Sequence, residues 1–242
     1  MDRWRLITTW GADPAFNMGL DEALLESPES PPTLRFYTWK PDTLSLGYFQ
    51  KLADVPGAPR AGALVRRITG GGAIHHVKEL TFSFACAQGH PLYQGAVGES
   101  YARVHGAIAS ALAELGVASS LRGGTALDSD VADTGMCFHK STPLDLAWNG
   151  RKGVGSAQRR KRGRVLHHGS IKLGTSPLEG EIATLAHVEP RVTVETLAPL
   201  LRRVFERELG LAFETSVPDA DERSEARRRG LRYVDPEFVR SR

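Results

Sequence analysis

The chain has 242 residues, 41% hydrophobic and 24% charged, with a formal net charge of +3; this is the composition of a soluble globular protein of one or two domains, long enough to bury a core without staples. Two cysteines are too few for a disulfide framework, no C-x-x-C or other zinc spacing occurs, and MDRWRLITTW holds no apolar core long enough for a signal peptide. No run approaches a membrane span, so a cytoplasmic protein in a reducing compartment is expected, and the mild positive charge permits an acidic partner without arguing for nucleic acid.

Asp13 is a good N-cap and Pro14 suits the first helical position. Phe16, Leu20, Ala23 and Leu24 then repeat at helical spacing to about Glu26. Short strands are expected at Leu34–Thr38 and Thr43–Phe49, followed by a Pro/Gly-rich loop over 51–62. A strand at Leu64–Arg67 runs into Gly70-Gly71-Gly72. The next strand carries Leu80, Phe82, Phe84 and Cys86 on one face, which makes Cys86 a core residue. Three consecutive glycines let a substrate approach the backbone, with Arg66, Arg67 and His76 beside them; they also read as a flexible hairpin loop, and no P-loop pattern is present. In a strand His75 and His76 face opposite ways, so at most one points into a pocket.

A helix is expected over Glu99–Leu115, stopped by Gly116, with His105 packed or solvated beside its apolar face. Residues 119–135 read as a mobile loop leading to Cys137. Asn149-Gly150 signals a tight hairpin, placing Lys152 at the start of a strand, and Val165–Leu173 follows after a basic loop, Arg159–Arg164. Thr193–Leu209 reads as a helix stopped by Gly210. Beyond Pro218 charge dominates and a solvated helix and tail are expected. This order suggests an α+β fold with helices on one side of a mainly antiparallel sheet.

Cys137 and Lys152 are the candidate pair for chemistry. A thiolate is the reactive form of cysteine, and an ammonium about 4 Å away favours it by up to ~4 kcal/mol at an effective dielectric near 20. The glycines after Lys152 clear space for a substrate. Taken alone, the pair also fits a buried structural cysteine and a surface lysine.

RRITGGGAIHHVKELTFS, DPAFNMGLDEALL, RFYTWKPDTLSLGYFQ and GRKGVGSAQ…VLHHGSI occur in one order between about Trp4 and Leu173. Together they resemble the lipoate branch of the biotin/lipoate protein ligase superfamily, and within it the octanoyltransferases of the cysteine–lysine type. The resemblance implies a curved mixed, mainly antiparallel sheet flanked by helices, with a catalytic domain over 1–215 and a charged helix and tail over 216–242. It implies that Cys137 carries an octanoyl thioester beside Lys152. It further implies substrate-binding positions at Arg67, Gly70, Gly71, His76, Gly155, Ser156, Ala157, Gly169 and Ser170. The donor would be octanoyl acyl carrier protein. The acceptor would be a lipoyl-domain protein such as glycine cleavage H protein or a 2-oxoacid dehydrogenase subunit. No metal, nucleotide, prosthetic cofactor, nucleic acid or membrane is implied. An ATP-dependent lipoate–protein ligase using Lys152 without Cys137, and a non-catalytic module binding through the basic loop, are the alternatives. The Cys137–Lys152 spacing and the KELTFS segment speak against the ligase, and the lack of interleaved aromatic residues speaks against nucleic acid.

Overall fold

The computed structural model describes residues 2–241. Its first element is a strand, β1 (Asp2–Ala12), followed by α1 (Pro14–Glu26) and β2 (Thr33–Trp39), which returns parallel to β1. The helix starts as its sequence dictates: the Asp13 carboxylate accepts from the N–H groups of Ala15 and Phe16. Then come β3 (Thr43–Leu46), β4 (Ala63–Arg66), β5 (Ile74–His76), β6 (Glu79–Ala87), α2 (Val97–Ala113) and β7 (Ser120–Leu121). The chain continues through β8 (Leu146–Trp148), β9 (Arg151–Lys161), β10 (Arg164–Lys172), α3 (Val194–Leu209), β11 (Leu211–Ser216), α4 (Ala220–Val234) and α5 (Pro236–Arg240).

The main sheet has eight strands in the order β11-β1-β2-β6-β10-β9-β8-β7. The pairs β11/β1 and β1/β2 are parallel and the others antiparallel, so the fold is α+β with a mixed, mainly antiparallel sheet. A second sheet, β4-β3-β5, packs beside it. Alternation along β6 divides the core. Leu80, Phe82, Phe84 and Cys86 pack with Val104 and Ile108 of α2 and Val204 and Phe205 of α3. On the opposite face Ala85 packs with Leu20 and Leu24 of α1, and the Ser83 hydroxyl donates to Asp21. Helices thus cover both faces of the sheet and not one. The crossover between parallel β1 and β2 forces this, because it puts α1 across the sheet from α2 and α3.

The charged C-terminal helix is solvated on one face only. Ala226, Gly230 and Tyr233 of α4 are buried, and the helix packs on α1 so closely that a Cβ at Gly19 would stand 1.9 Å from the Ala226 carbonyl oxygen. Three strands lie where the sequence reading placed none: β1, β11 and the short β7, which falls in the segment 119–135 read as a mobile loop. The expected strand Thr43–Phe49 ends at Leu46. The expected basic loop is a two-residue turn, Arg162-Gly163 with φ of 49° and 75°, since β9 runs to Lys161 and β10 begins at Arg164. Arg164 is buried and donates to the carbonyls of Leu24, Pro28 and Ser30 near the end of α1. Among the described residues no helix is long and apolar enough to cross a membrane.

Candidate active site

The β8–β9 hairpin closes through Asn149 and Gly150 with positive φ at both, 51° and 71°, as a type I′ turn requires. Lys152 follows on β9 with 1% exposure. Cys137 opens a single helical turn, 137–139, in the loop before the hairpin. Its N–H donates to the Ala73 carbonyl at 2.7 Å, and the Ala73 N–H donates to Gly135 at 2.8 Å. These bonds fasten the cysteine segment to the glycine-rich loop. Next to Cys137, Phe138 is fully buried, and the ammonium groups of Lys152 and Lys172 lie 5.3 and 4.8 Å from its ring centroid. His139 bonds the Glu179 carbonyl and the Thr134 hydroxyl. The turn that carries the thiol is therefore anchored at each residue.

The Lys152 ammonium meets Asp145 Oδ2 at 2.8 Å, the Cys137 carbonyl at 3.0 Å, and Cys137 Sγ and the Lys140 carbonyl at 3.5 Å each. Burial works against its charge, but the Cys137 sulfur and the Asp145 carboxylate outweigh that and hold its pKa above the ordinary lysine value. A Cβ at Gly155 would stand 2.8 Å from Lys152 Cε, so glycine there leaves room for the lysine chain. The other thiol, Cys86, is fully buried and burial pushes it up to about 12, whereas Cys137 is partly exposed.

A cleft of about 1270 Å³ opens beside this pair. All of the site positions implied by the resemblance border it: Cys137, Lys152, Arg67, Gly70, Gly71 and His76, and, from β9 and β10, Gly155, Ser156, Ala157, Gly169 and Ser170, whereas Arg66 does not. Arg67 bonds the carbonyls of Ser45, Gly70 and Gly72, so its buried guanidinium shapes the glycine loop. His76 is stacked on Trp39 at 4.2 Å and bonded to Ser45 Oγ and Glu79; burial, chiefly, holds its pKa down. Its neighbour His75 turns the other way, to Asp42 and Ser176, and does not reach the cleft. The Ser156 hydroxyl links His105 and His167 at 2.8 Å each, so His105 is packed and bonded. Residues 130–135 border the cleft opposite and are tied down. Asp130 accepts from the N–H and hydroxyl of Ser141, and Val131 N–H donates to His139.

Sequence reasoning missed Asp145. It lies between Leu144 and Leu146, where alternation reads it as a solvent-facing residue, yet it is 4% exposed against Lys152. It also missed Lys172, which pairs with Glu79 and Glu179 at 2.7 Å each in full burial. Lys172 is the final residue of β10, and no local pattern announces its partners.

Residues 13–198 match the family model of the lipoyl protein ligase A/B catalytic domain. The chain belongs to this family. It is 44% identical over 179 residues to octanoyltransferase LipM of Moorella thermoacetica, covering 71% of this chain and 66% of that one. It is 40% identical over 182 residues to octanoyltransferase LipM of Geobacillus kaustophilus, covering 70% and 65%. The match thus spans just under two thirds of the length of these curated relatives. The fold is that of the bi-partite lipoate protein ligase of Thermoplasma acidophilum, with a TM-score of 0.78 at 20% identity over 99% of this chain and 97% of that one. A lipoate-protein ligase A bound with ATP gives 0.77 at 22% identity over 99% and 98%.

Proposed function

We propose that the chain transfers an octanoyl group from acyl carrier protein to a lysine of a lipoyl domain, through a thioester on Cys137. The observation that carries this reading is the contact of Cys137 Sγ with the buried Lys152 ammonium, 3.5 Å apart at the edge of a large cleft. The names of the relatives at 44% and 40% identity support it, whereas solved structures named as ligases share the fold at 23% identity or less.

In the first step the thiolate attacks the carrier thioester. A C–S bond forms to Cys137, the old C–S bond breaks, and the pantetheine sulfur leaves with the electron pair and takes a proton from solvent. In the second step an acceptor amine attacks the acyl-enzyme and Cys137 is released. Lys152 favours the thiolate and can donate to the acyl carbonyl as charge develops on it. Backbone N–H groups around Gly70–Gly72 or Gly155–Ala157 serve the same oxyanion. His76, Gly169 and Ser170 line the part of the cleft that takes the acyl chain, and Arg67 keeps the glycine loop open to it. Acceptance of a lipoyl domain agrees with the T. acidophilum ligase of the same fold, described with its E2 lipoyl domain. Transfer through a free thiol suits the reducing cytoplasm.

Intact-mass measurement after mixing with octanoyl carrier protein, without ATP, tests the reading. One octanoyl adduct is expected on the wild type and on Cys86→Ala, and none on Cys137→Ala. Product formed only with ATP, by a Cys137→Ala variant that stays active, would move the assignment to a ligase.

A further inference from the structure

The Lys152 ammonium has three protons and four acceptors around it: Asp145, Cys137 Sγ and the carbonyls of Cys137 and Lys140. Asp145 brings a carboxylate to the ammonium, and the Cys137 sulfur brings a second negative charge in its reactive thiolate form. Acylation turns the thiolate into a neutral thioester. Asp145 at 2.8 Å is then the carboxylate left in contact with the ammonium.

The other groups around the pair do not replace it. Helix α2 presents His105, whose pKa burial chiefly holds down, and Tyr101, pushed up to about 12 by burial. Lys172 stands at the Phe138 ring, and Arg67, just past the end of β4, lies near Cys137. Across the cleft Asp130 is engaged by Ser141 and Arg122. Neutral or positive neighbours would drive a buried lysine towards its uncharged form once the thiolate is gone.

We propose that Asp145 is a positioning residue that keeps Lys152 charged while Cys137 carries its acyl group, so that the lysine serves the second half of the transfer as a donor and not as a base. The proposal rests on the transfer reading above. In that half the C–N bond forms, the C–S bond breaks, and the electron pair leaves on sulfur. The proton shed by the attacking amine comes to rest on that sulfur. Lys152 begins and ends the step protonated, donating to the oxyanion and then to the departing thiolate. The carboxylate geometry suits this task, because Asp145 Oδ2 is also held by the Thr142 N–H at 2.6 Å and cannot follow the lysine into the cleft.

Asp145→Asn keeps an acceptor oxygen for Thr142 and removes the charge. Two rates are measured across pH: alkylation of Cys137 in the free protein by iodoacetamide, and octanoyl transfer to a lipoyl domain from enzyme pre-acylated with octanoyl-pantetheine. Alkylation at neutral pH is expected to be as fast as in the wild type or faster, since the ammonium is no longer shared. The alkaline limb of the transfer is expected to move about one pH unit or more towards neutrality, the shift a contacting opposite charge produces. Asp145→Glu should bring that limb back towards the wild-type position. An unmoved limb in Asp145→Asn, or losses of alkylation and transfer by one common factor at every pH, would overturn the proposal and leave Asp145 a structural residue. Absence of any acyl adduct on the wild type would instead overturn the transfer reading and this proposal with it.

Discussion

Lys172 Nζ lies 4.8 Å from the centroid of the Phe138 ring, and Phe138 is the residue next to Cys137. The same ammonium joins Glu79 and Glu179 at 2.7 Å each and donates to the His75 carbonyl. The turn that carries Cys137 therefore leans on a buried ion cluster. Glu79 shows the balance: burial works against its charge, but Lys172 and His76 outweigh it and hold its pKa far below the ordinary carboxylate value.

Lys172→Met should remove that support. Two buried carboxylates would lose their common partner, which destabilises by about 3–5 kcal/mol. Urea unfolding followed by fluorescence measures it. A loss under about 1 kcal/mol would mean that water reaches the cluster and that its charges are not confined.

Lys152→Ala should slow alkylation of Cys137 at neutral pH by about tenfold or more, because it removes the ammonium in contact with the sulfur, which favours a thiolate. Lys152→Arg keeps the charge but not the shape. A guanidinium must fit where Gly155 leaves space only for a lysine chain, so partial recovery is expected. An alkylation pH profile identical in Lys152→Ala and wild type would leave the lysine a purely positional role.

Much of this arrangement is legible in the chain because local rules agree with the fold. Asp13-Pro14 opens α1, Asn149-Gly150 turns the hairpin, and alternation on β6 buries Cys86 and leaves Cys137 as the accessible thiol. What escaped depends on distant partners. Trp4 and Leu6 of β1 alternate with Arg3 and Arg5, a short period-two signal that ends at the buried Ile7. Reading the N-terminus for a targeting segment passes over it, and its partner β11 lies at the other end of the chain. Asp145 and Lys172 look like ordinary charged residues until the sheet brings their partners to them. The basic run misleads for the same reason, since Arg164 is drawn inward by carbonyls near the end of α1.

Asp21 gives the fold a definite acid response. Burial works against its charge, but Arg35 and His168 outweigh it and hold its pKa below the ordinary value of 3.8. A carboxyl depressed in the folded state stabilises the protein fully above its unfolded pKa, and that stability is lost as pH falls through the lower folded value. Stability should therefore fall steeply below about pH 4 in the wild type. Asp21→Asn should be less stable at neutral pH, by about 3–5 kcal/mol, because Arg35 is left buried without its carboxylate. Its decline between about pH 4 and pH 2 should also be shallower. Parallel acid limbs in urea titrations of the two proteins would show that other carboxyls set the response.

The basic residues after Lys152 make a sharper prediction about the donor. Along β9 the turn at Arg162 lies ten residues beyond Lys152, about 33 Å at strand rise. That is several Debye lengths, since one is about 8 Å at physiological ionic strength. Arg159 is better placed. It shares a face of β9 with Ala157, which borders the cleft, and its guanidinium lies 5.7 Å from the centroid of the Tyr48 ring. Acyl carrier proteins are acidic, so a cation here should raise the encounter rate with the donor. Arg159→Ser should lower the acylation rate with octanoyl carrier protein several-fold at low salt and flatten its salt dependence, while Arg162→Ser should change little. Acylation by octanoyl-pantetheine, which lacks the acidic surface, should hardly move in either variant. Equal losses with both donors in Arg159→Ser would mean that the arginine supports the cleft wall through Tyr48, and steering by this residue would be wrong.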